Sequence, residues 1–233
     1  MRIVLKISGE ALKNGNNISE EKLEKIYKNI LEIKDNNELI IVVGGGNFWR
    51  GRNKLNIQSS TSDYIGMLGT VMNALAINSY LNKKGISSSC YSAFEVLGII
   101  KKAISTDIEN DLSSGKVIIL GGGLGVPNLS TDMTTISKAI EYNADLILMA
   151  KNIDAIYDKD PKYEDAKKIE EITHEELLNM SIGQGLGSLT VLDLEALVEL
   201  AKHKVPMHLY NFENIDSIKE VLDGKTGTKV ITK

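Results

Sequence analysis

The chain is poor in the residues that lock or punctuate a fold. Among 233 residues there is one cysteine, Cys90, which excludes an intrachain disulfide framework and any thiolate-rich metal site. A reducing cytoplasm is the compartment that fits. Proline occurs only 3 times, and neither low-complexity segments nor exact repeats interrupt the sequence. With no linker to divide it, residues 1–233 are expected to form a single domain. Positive charge is not in excess: the formal net charge is -4 with both signs interspersed, so no basic face for nucleic acid is expected. No apolar run approaches the roughly 20 residues of a membrane span, and the charges in MRIVLKISGEAL lie too close to its apolar stretch for a secretory signal. The expectation is a soluble, cytoplasmic protein.

What is present is a regular alternation of two patterns. Arg2 to Ile7 reads as a buried strand, and Leu39 to Val43 is a continuous apolar run of the kind that suits a sheet covered on both faces. Between them SEEKLEKIYKNILEIK places Leu23, Ile26, Tyr27, Ile30 and Leu31 on one helical face behind Ser19 as N-cap. A long helix is expected over Asp63 to Lys84, stopped by Gly85. Short strands are expected at Ser88 to Tyr91, Lys116 to Leu120, Leu146 to Met149 and Met207 to Tyr210. THEELL offers a capping box between Thr173 and Glu176, and Val191 to Lys204 reads as another amphipathic helix. Strands alternating with helices predict an α/β fold on a mainly parallel sheet.

Two triple glycines stand where buried strands end, VGGGNFWRG after LIIVV and LGGGLGVPNLSTD after VIIL. The carboxyl ends of parallel strands are where ligands collect, and glycine lets backbone N–H groups approach an anion. Either loop alone is equally well explained as a tight turn. The familiar phosphate motifs do not fit: Lys219 stands where a Walker A loop ending at Gly224, Lys225 and Thr226 needs its first glycine. Trp49 and Val126 break the two possible G-x-G-x-x-G patterns. Leu178 replaces the second histidine of a zincin helix, and no histidine is placed to activate Ser8 as a nucleophile. The three histidines read as surface or capping residues.

Charge supplies the missing information. Lys6 closes an apolar strand beside Ser8 and Gly9, Arg50 closes the first glycine loop, and Asp132 opens a helix beginning near Thr131. Singly these are a strand-end lysine, a loop cation and a helix-dipole residue. Together at one sheet edge they are the parts of a phosphoryl-transfer site.

The segments LKISGEAL, VVGGGNFWRG, DYIGMLGTVMNALA, STD, NIDAIYDKDP and VLDLEALVELAKHKVP, in this order along the whole chain, resemble the motifs of the bacterial UMP kinases, within the amino acid kinase family. The resemblance implies a three-layer α/β/α sandwich that transfers the γ-phosphate of ATP to UMP with Mg²⁺, as a homo-oligomer, commonly a hexamer under nucleotide regulation. By motif position, Lys6, Ser8 and Gly9 would hold ATP phosphates, with Gly46 and Arg50 clamping the reacting groups. Asp132 would organise the lysine, and Asp193 falls where the family has an acid near it. Lys151, Tyr157 and Asp160 would line the base and ribose of ATP. Gly45 would approach UMP, Asp63 would take its ribose hydroxyls, and Leu124, Gly125, Val126 and Thr131 would shape the base pocket. No metal ligand set is assigned to the chain itself.

The second loop departs from the family. Where the bacterial pattern resembles GTGNPFFTTD, this chain has Leu124, Val126, Asn128 and Leu129 in place of a threonine, an asparagine and two aromatics. Lys151 stands where a small polar residue is commoner, and NMSIGQGLGSLTV is longer and richer in glycine. Two alternatives therefore stay open. One is a kinase of the same fold acting on a carboxylate or carbamate; the other is a nucleotide-binding or storage protein without turnover.

Overall fold

Period-two alternation along the central strands sorts the core into two layers. In β1 (Arg2–Ile7), Ile3, Leu5 and Ile7 point to one side of the sheet and Val4 to the other, and all four are fully buried or nearly so. Such burial contributes about 1.5–3 kcal/mol per large aliphatic side chain. It cannot be achieved on both sides unless helices cover both faces.

The computed structural model describes residues 1–14, 17–50, 56–183 and 191–232. After β1 come the hairpin of β2 (Lys13–Asn14) and β3 (Asn17–Ile18), then α1 (Glu20–Ile33), β4 (Glu38–Val43) and α2 (Ser59–Lys83). They are followed by β5 (Ser88–Ser92), β6 (Lys101–Lys102), α3 (Ser105–Ser113), β7 (Val117–Gly121), α4 (Thr131–Glu141) and β8 (Leu146–Lys151). A second hairpin, β9 (Ile156–Tyr157) with β10 (Lys168–Ile169), precedes β11 (Glu171–Thr173), α5 (His174–Gly183) and α6 (Leu194–His203). The described chain closes with β12 (Met207–Asn211), α7 (Ile218–Leu222) and β13 (Thr228–Ile231).

The main sheet runs β11-β13-β12-β8-β1-β4-β7-β5-β6. Its pairings are parallel except for β12 with β13, so the edge strands β13 and β11 run against the rest. Ile3, Leu5, Ile7, Leu39 and Ile41 pack with α1, α2 and α7. Val4, Ile40, Val42, Ile147 and Met149 pack with α3, α4, α5 and α6. The three-layer sandwich expected from the sequence is the observed architecture.

Local signals were legible where side chains close their own helix ends. Ser19 Oγ accepts the N–H of Lys22, and Thr173 and Glu176 exchange the bonds of a capping box, Thr173 N–H to Glu176 at 2.9 Å and Glu176 N–H to Thr173 Oγ at 3.1 Å. Gly85, at φ 86, stops the long helix. Tertiary context corrects three expectations. Leu31 is 44% exposed, and Ile33 takes its place on the buried stripe of α1. Helix α2 starts at Ser59, four residues before Asp63. His174 is buried, its Nε2 2.8 Å from the Val205 carbonyl oxygen. Much of the stretch NMSIGQGLGSLTV, residues 184–190, lies outside the described residues, as does Gly51 of the first loop.

Candidate active site

Strands β8, β1, β4 and β7 are neighbours, and their carboxyl ends form one edge. Lys6, beside Val42 of β4 and Met149 of β8, continues the even-numbered row of β1 and so faces α4. Its ammonium lies 3.3 Å from Asp132 Oδ1 and donates to the Ala150 carbonyl oxygen at 3.4 Å. Lys151, the last residue of β8, donates from Nζ to the other oxygen, Asp132 Oδ2. The three side chains are 8%, 12% and 18% exposed for Lys6, Asp132 and Lys151. Two buried ammonium groups share one carboxylate, which leaves a surplus positive charge at the sheet edge. Isolated ions in such surroundings cost several kcal/mol each, so the surplus is a site for an anion.

The titration of the cluster follows from burial and mutual charge. Burial pushes the Lys6 ammonium below the ordinary lysine value; Asp132 opposes this and Lys151 reinforces it. Burial acting alone would raise the Asp132 carboxyl, yet Lys6 and Lys151 together hold it below the usual carboxylate range.

Asp132 is held by its helix. Ser130 caps α4, its Oγ accepting from the Met133 N–H at 3.0 Å, and its hydroxyl donates to Asp193 Oδ2. Asp193 in turn caps α6, accepting from the Ala196 N–H at 2.9 Å. The sequence placed Asp193 near the lysine. In the structure its carboxylate engages the N-termini of α4 and α6, through the Ser130 hydroxyl and the Ala196 N–H.

Glycine is required where the first two loops touch. A Cβ on Gly9 would stand 2.4 Å from the amide nitrogen of Gly46, and one on Gly45 would stand 2.5 Å from the Gly66 carbonyl oxygen. No side chain is accommodated at such separations. Ser8, Gly9 and Gly44 to Gly46 border one small cavity with Lys6, Glu10, Arg50 and Thr131. Arg50, 57% exposed in its side chain, is paired with Glu10 at 2.6 Å.

A second cavity, about 230 Å³, adjoins it between α2 and the loop after β7. Of the residues assigned to the acceptor, Gly45, Asp63 and Thr131 line it. Leu124, Gly125 and Val126 do not, and Val126 is 49% exposed. Leu129, one of the loop's departures, lines it, and so do Trp49, Ser62, Met67, Thr70 and Thr134, to which the sequence assigned no role at the acceptor. Helix α2 also binds both glycine loops: the Thr70 hydroxyl accepts the Gly122 N–H at 2.6 Å, and the Asn73 amide donates to the Gly44 carbonyl at 2.7 Å. Asn73 and Asn47 complete this with a reciprocal pair of bonds. The available signal was polarity in the wrong place, since Thr70 and Asn73 are polar residues three apart on a helical face that is otherwise apolar. Asp63 Oδ2 accepts the N–H of Asn128, at φ 66, so the two walls of the cavity are tied together.

The nucleoside-side assignments separate in space. Tyr157 and Asp160 lie on and after β9, where Tyr157 donates to Asp154 at 3.0 Å and Asp160 accepts the Lys162 N–H at 3.0 Å. Lys151 turns inward to Asp132.

The chain as a whole is similar to known proteins. The chain is 37% identical over 241 residues to the uridylate kinase of Aster yellows witches'-broom phytoplasma, covering 100% of this chain and 97% of that one. The uridylate kinase of Deinococcus radiodurans is 37% identical over 237 residues, covering 98% and 94%. The crystal structure of UMP kinase from Ureaplasma parvum has a TM-score of 0.88 at 29% identity, covering 99% of this chain and 98% of that one. Residues 1–211 match the amino acid kinase family, and the chain belongs to it.

Proposed function

We infer that the protein transfers the γ-phosphoryl group of ATP to UMP, forming UDP and ADP. The observation that carries this reading is the buried Lys6–Asp132–Lys151 cluster, with its surplus positive charge, beside a cavity lined by Asp63. Phosphoryl transfer asks little covalent work of a protein and much positioning and charge stabilisation. An oxygen of the UMP phosphate attacks Pγ, the bond from Pγ to the β–γ bridging oxygen breaks, and the ADP oxygen leaves with that electron pair. Lys6 and Lys151 meet the charge on the transferring and leaving oxygens, Asp132 fixes both ammonium groups, and Ser8, Gly9 and Gly46 offer backbone N–H groups. Arg50 exchanges Glu10 for phosphate oxygens. Tyr157 and Asp160 border the ATP nucleoside, Asp63 takes the acceptor's ribose hydroxyls, and Gly45 and Thr131 face the acceptor.

Mg²⁺ enters as the counter-ion of ATP. Among the described residues no group of three His, Cys, Asp or Glu side chains is arranged to hold an ion, and Asp132 is already engaged by two cations. The ion would arrive with ATP as part of the substrate and would supply neutralisation of the phosphate charge. A cytoplasmic setting is part of the proposal and rests on the resemblance; separately, none of the described helices is long and apolar enough to cross a membrane. Self-association, to a hexamer as in the resemblance, is proposed through the exposed apolar face of α2. Carboxylate and carbamate acceptors are disfavoured by Asp63 at the cavity wall. An ADP-coupled assay over UMP, CMP, dUMP, acetylglutamate, aspartate and carbamate tests the reading. UMP is expected to give the highest kcat/KM, and ATP consumption independent of every acceptor would refute it.

A further inference from the structure

The only tryptophan of the chain, Trp49, sits at the end of the first glycine loop, where its ring lines the second cavity. Its indole Nε1–H donates to Ser62 Oγ at 2.9 Å. Ser62 is buried, 8% exposed, in the first turn of α2, and the next residue is Asp63. The ring edge rests against the helix one turn further on, where a Cβ on Gly66 would stand 3.7 Å from Trp49 Cδ1. The loop end is itself held, because the Trp49 N–H donates to the Gly45 carbonyl at 3.0 Å. A rigid, polar-tipped ring therefore links the glycine loop to the turn that carries the acceptor carboxylate. The indole N–H is a donor that seeks a partner where the ring packs against protein, and Ser62 supplies it.

We propose that Trp49 and Ser62 are positioning residues for the acceptor: their bond sets the first turn of α2, and thereby the aim of Asp63 at the ribose hydroxyls. This rests on the UMP kinase reading. Its consequence is discrimination between a ribonucleotide and a deoxyribonucleotide acceptor. A carboxylate aimed within hydrogen-bond reach favours the substrate that fills it, and a misaimed one favours neither.

The test uses the full chain. Ser62→Ala removes the acceptor of the indole bond, Trp49→Phe removes its donor, and Ser62→Thr keeps a hydroxyl. Ser62→Ala and Trp49→Phe are each expected to raise KM for UMP about five- to tenfold, the effect of one hydrogen bond, and to lower the preference for UMP over dUMP by a similar factor. Values of kcat and KM for ATP should stay within about twofold of wild type, Ser62→Thr should restore KM, and the double variant should be no worse than either single one. Because Trp49 is the sole tryptophan, UMP added without ATP should change its emission, giving a Kd that shifts with KM in Ser62→Ala. An unchanged KM and UMP/dUMP ratio in folded single variants would overturn the proposal while leaving the kinase reading intact. So would emission indifferent to saturating UMP in a wild-type enzyme that turns UMP over. A wild-type chain that does not phosphorylate UMP removes the kinase reading, and this proposal with it.

Discussion

The two sides of the site are built from different materials. The phosphate side consists of buried charge: Lys6, Asp132 and Lys151 are locked to one another, and each ion's cost of burial is offset by its neighbours. The proposed acceptor side carries one carboxylate, Asp63, in a wall held mostly by neutral hydrogen bonds, Trp49 on Ser62, Thr70 on Gly122 and Asn73 on Gly44, and its outer loop reaches solvent at Val126. Charge that must be paired tolerates little change, whereas a solvent-facing loop side chain can be exchanged at small cost.

The comparison breaks most visibly at Lys6. Lys6→Ala is expected to lower kcat about 10²- to 10³-fold, the loss typical of one preorganised group that meets developing charge. Asp132 keeps Lys151 as its partner in that variant, so stability should change little. Asp132→Ala instead leaves two ammonium groups buried side by side without a counter-charge, and should also cost about 3–5 kcal/mol of folding stability. Steady-state kinetics with urea unfolding separates the two. A Lys6→Ala enzyme with wild-type kcat would take the phosphate role away from this cluster.

A smaller effect sharpens the boundary between the sides. Asp63→Ala is expected to raise KM for UMP about tenfold, as removal of a charged hydrogen-bond partner does, with a lesser change for ATP. If KM for ATP rose and that for UMP did not, donor and acceptor would have to be interchanged.

What the sequence disclosed has the same division. The phosphate side was legible because it depends on residue type at strand ends: a lysine in an apolar run, glycines after Val43 and Leu120, and an acid entering a helix. The alternation that predicted the sheet also fixed the side on which Lys6 emerges. The bond of Lys151 to Asp132 was not legible, because motif position says nothing of which way a strand-end side chain turns. The acceptor cavity was misread for a related reason: its lining comes from the inner face of α2 as well as from the loop, and only packing shows that Ser62 and Thr70 face it. Edge strands β6, β11 and β13 escaped because a few residues carry no period.

The outer face of α2 adds a third surface, expected to influence the chemistry less. Tyr64, Leu68 and Met72, at four-residue spacing, are 48%, 48% and 45% exposed, while Met67, Val71, Ala74 and Ile77 of the same helix are buried. An apolar stripe opposite a packed one is expected to be covered by another copy of the chain. Leu68→Asp with Met72→Asp should lower the mass measured by light scattering at micromolar concentration. A wild-type monomer would end the claim.

The smallest effect is expected at the loop itself. If Leu124 and Val126 faced the base, replacing them with the family's threonine and asparagine would add hydrogen bonds and raise the preference for UMP over CMP by roughly tenfold per bond gained. Neither lines the cavity, so Leu124→Thr with Val126→Asn should raise that preference by only about two- to threefold, through the loop's fit against Asp63 rather than through new contacts. The measurement is kcat/KM for UMP and for CMP in the wild type and the double variant. A tenfold or larger gain would mean that the loop swings inward when the acceptor binds and that these side chains then meet the base. An unchanged ratio in an enzyme already selective for UMP would assign recognition of the base to backbone groups of the loop and to Thr131.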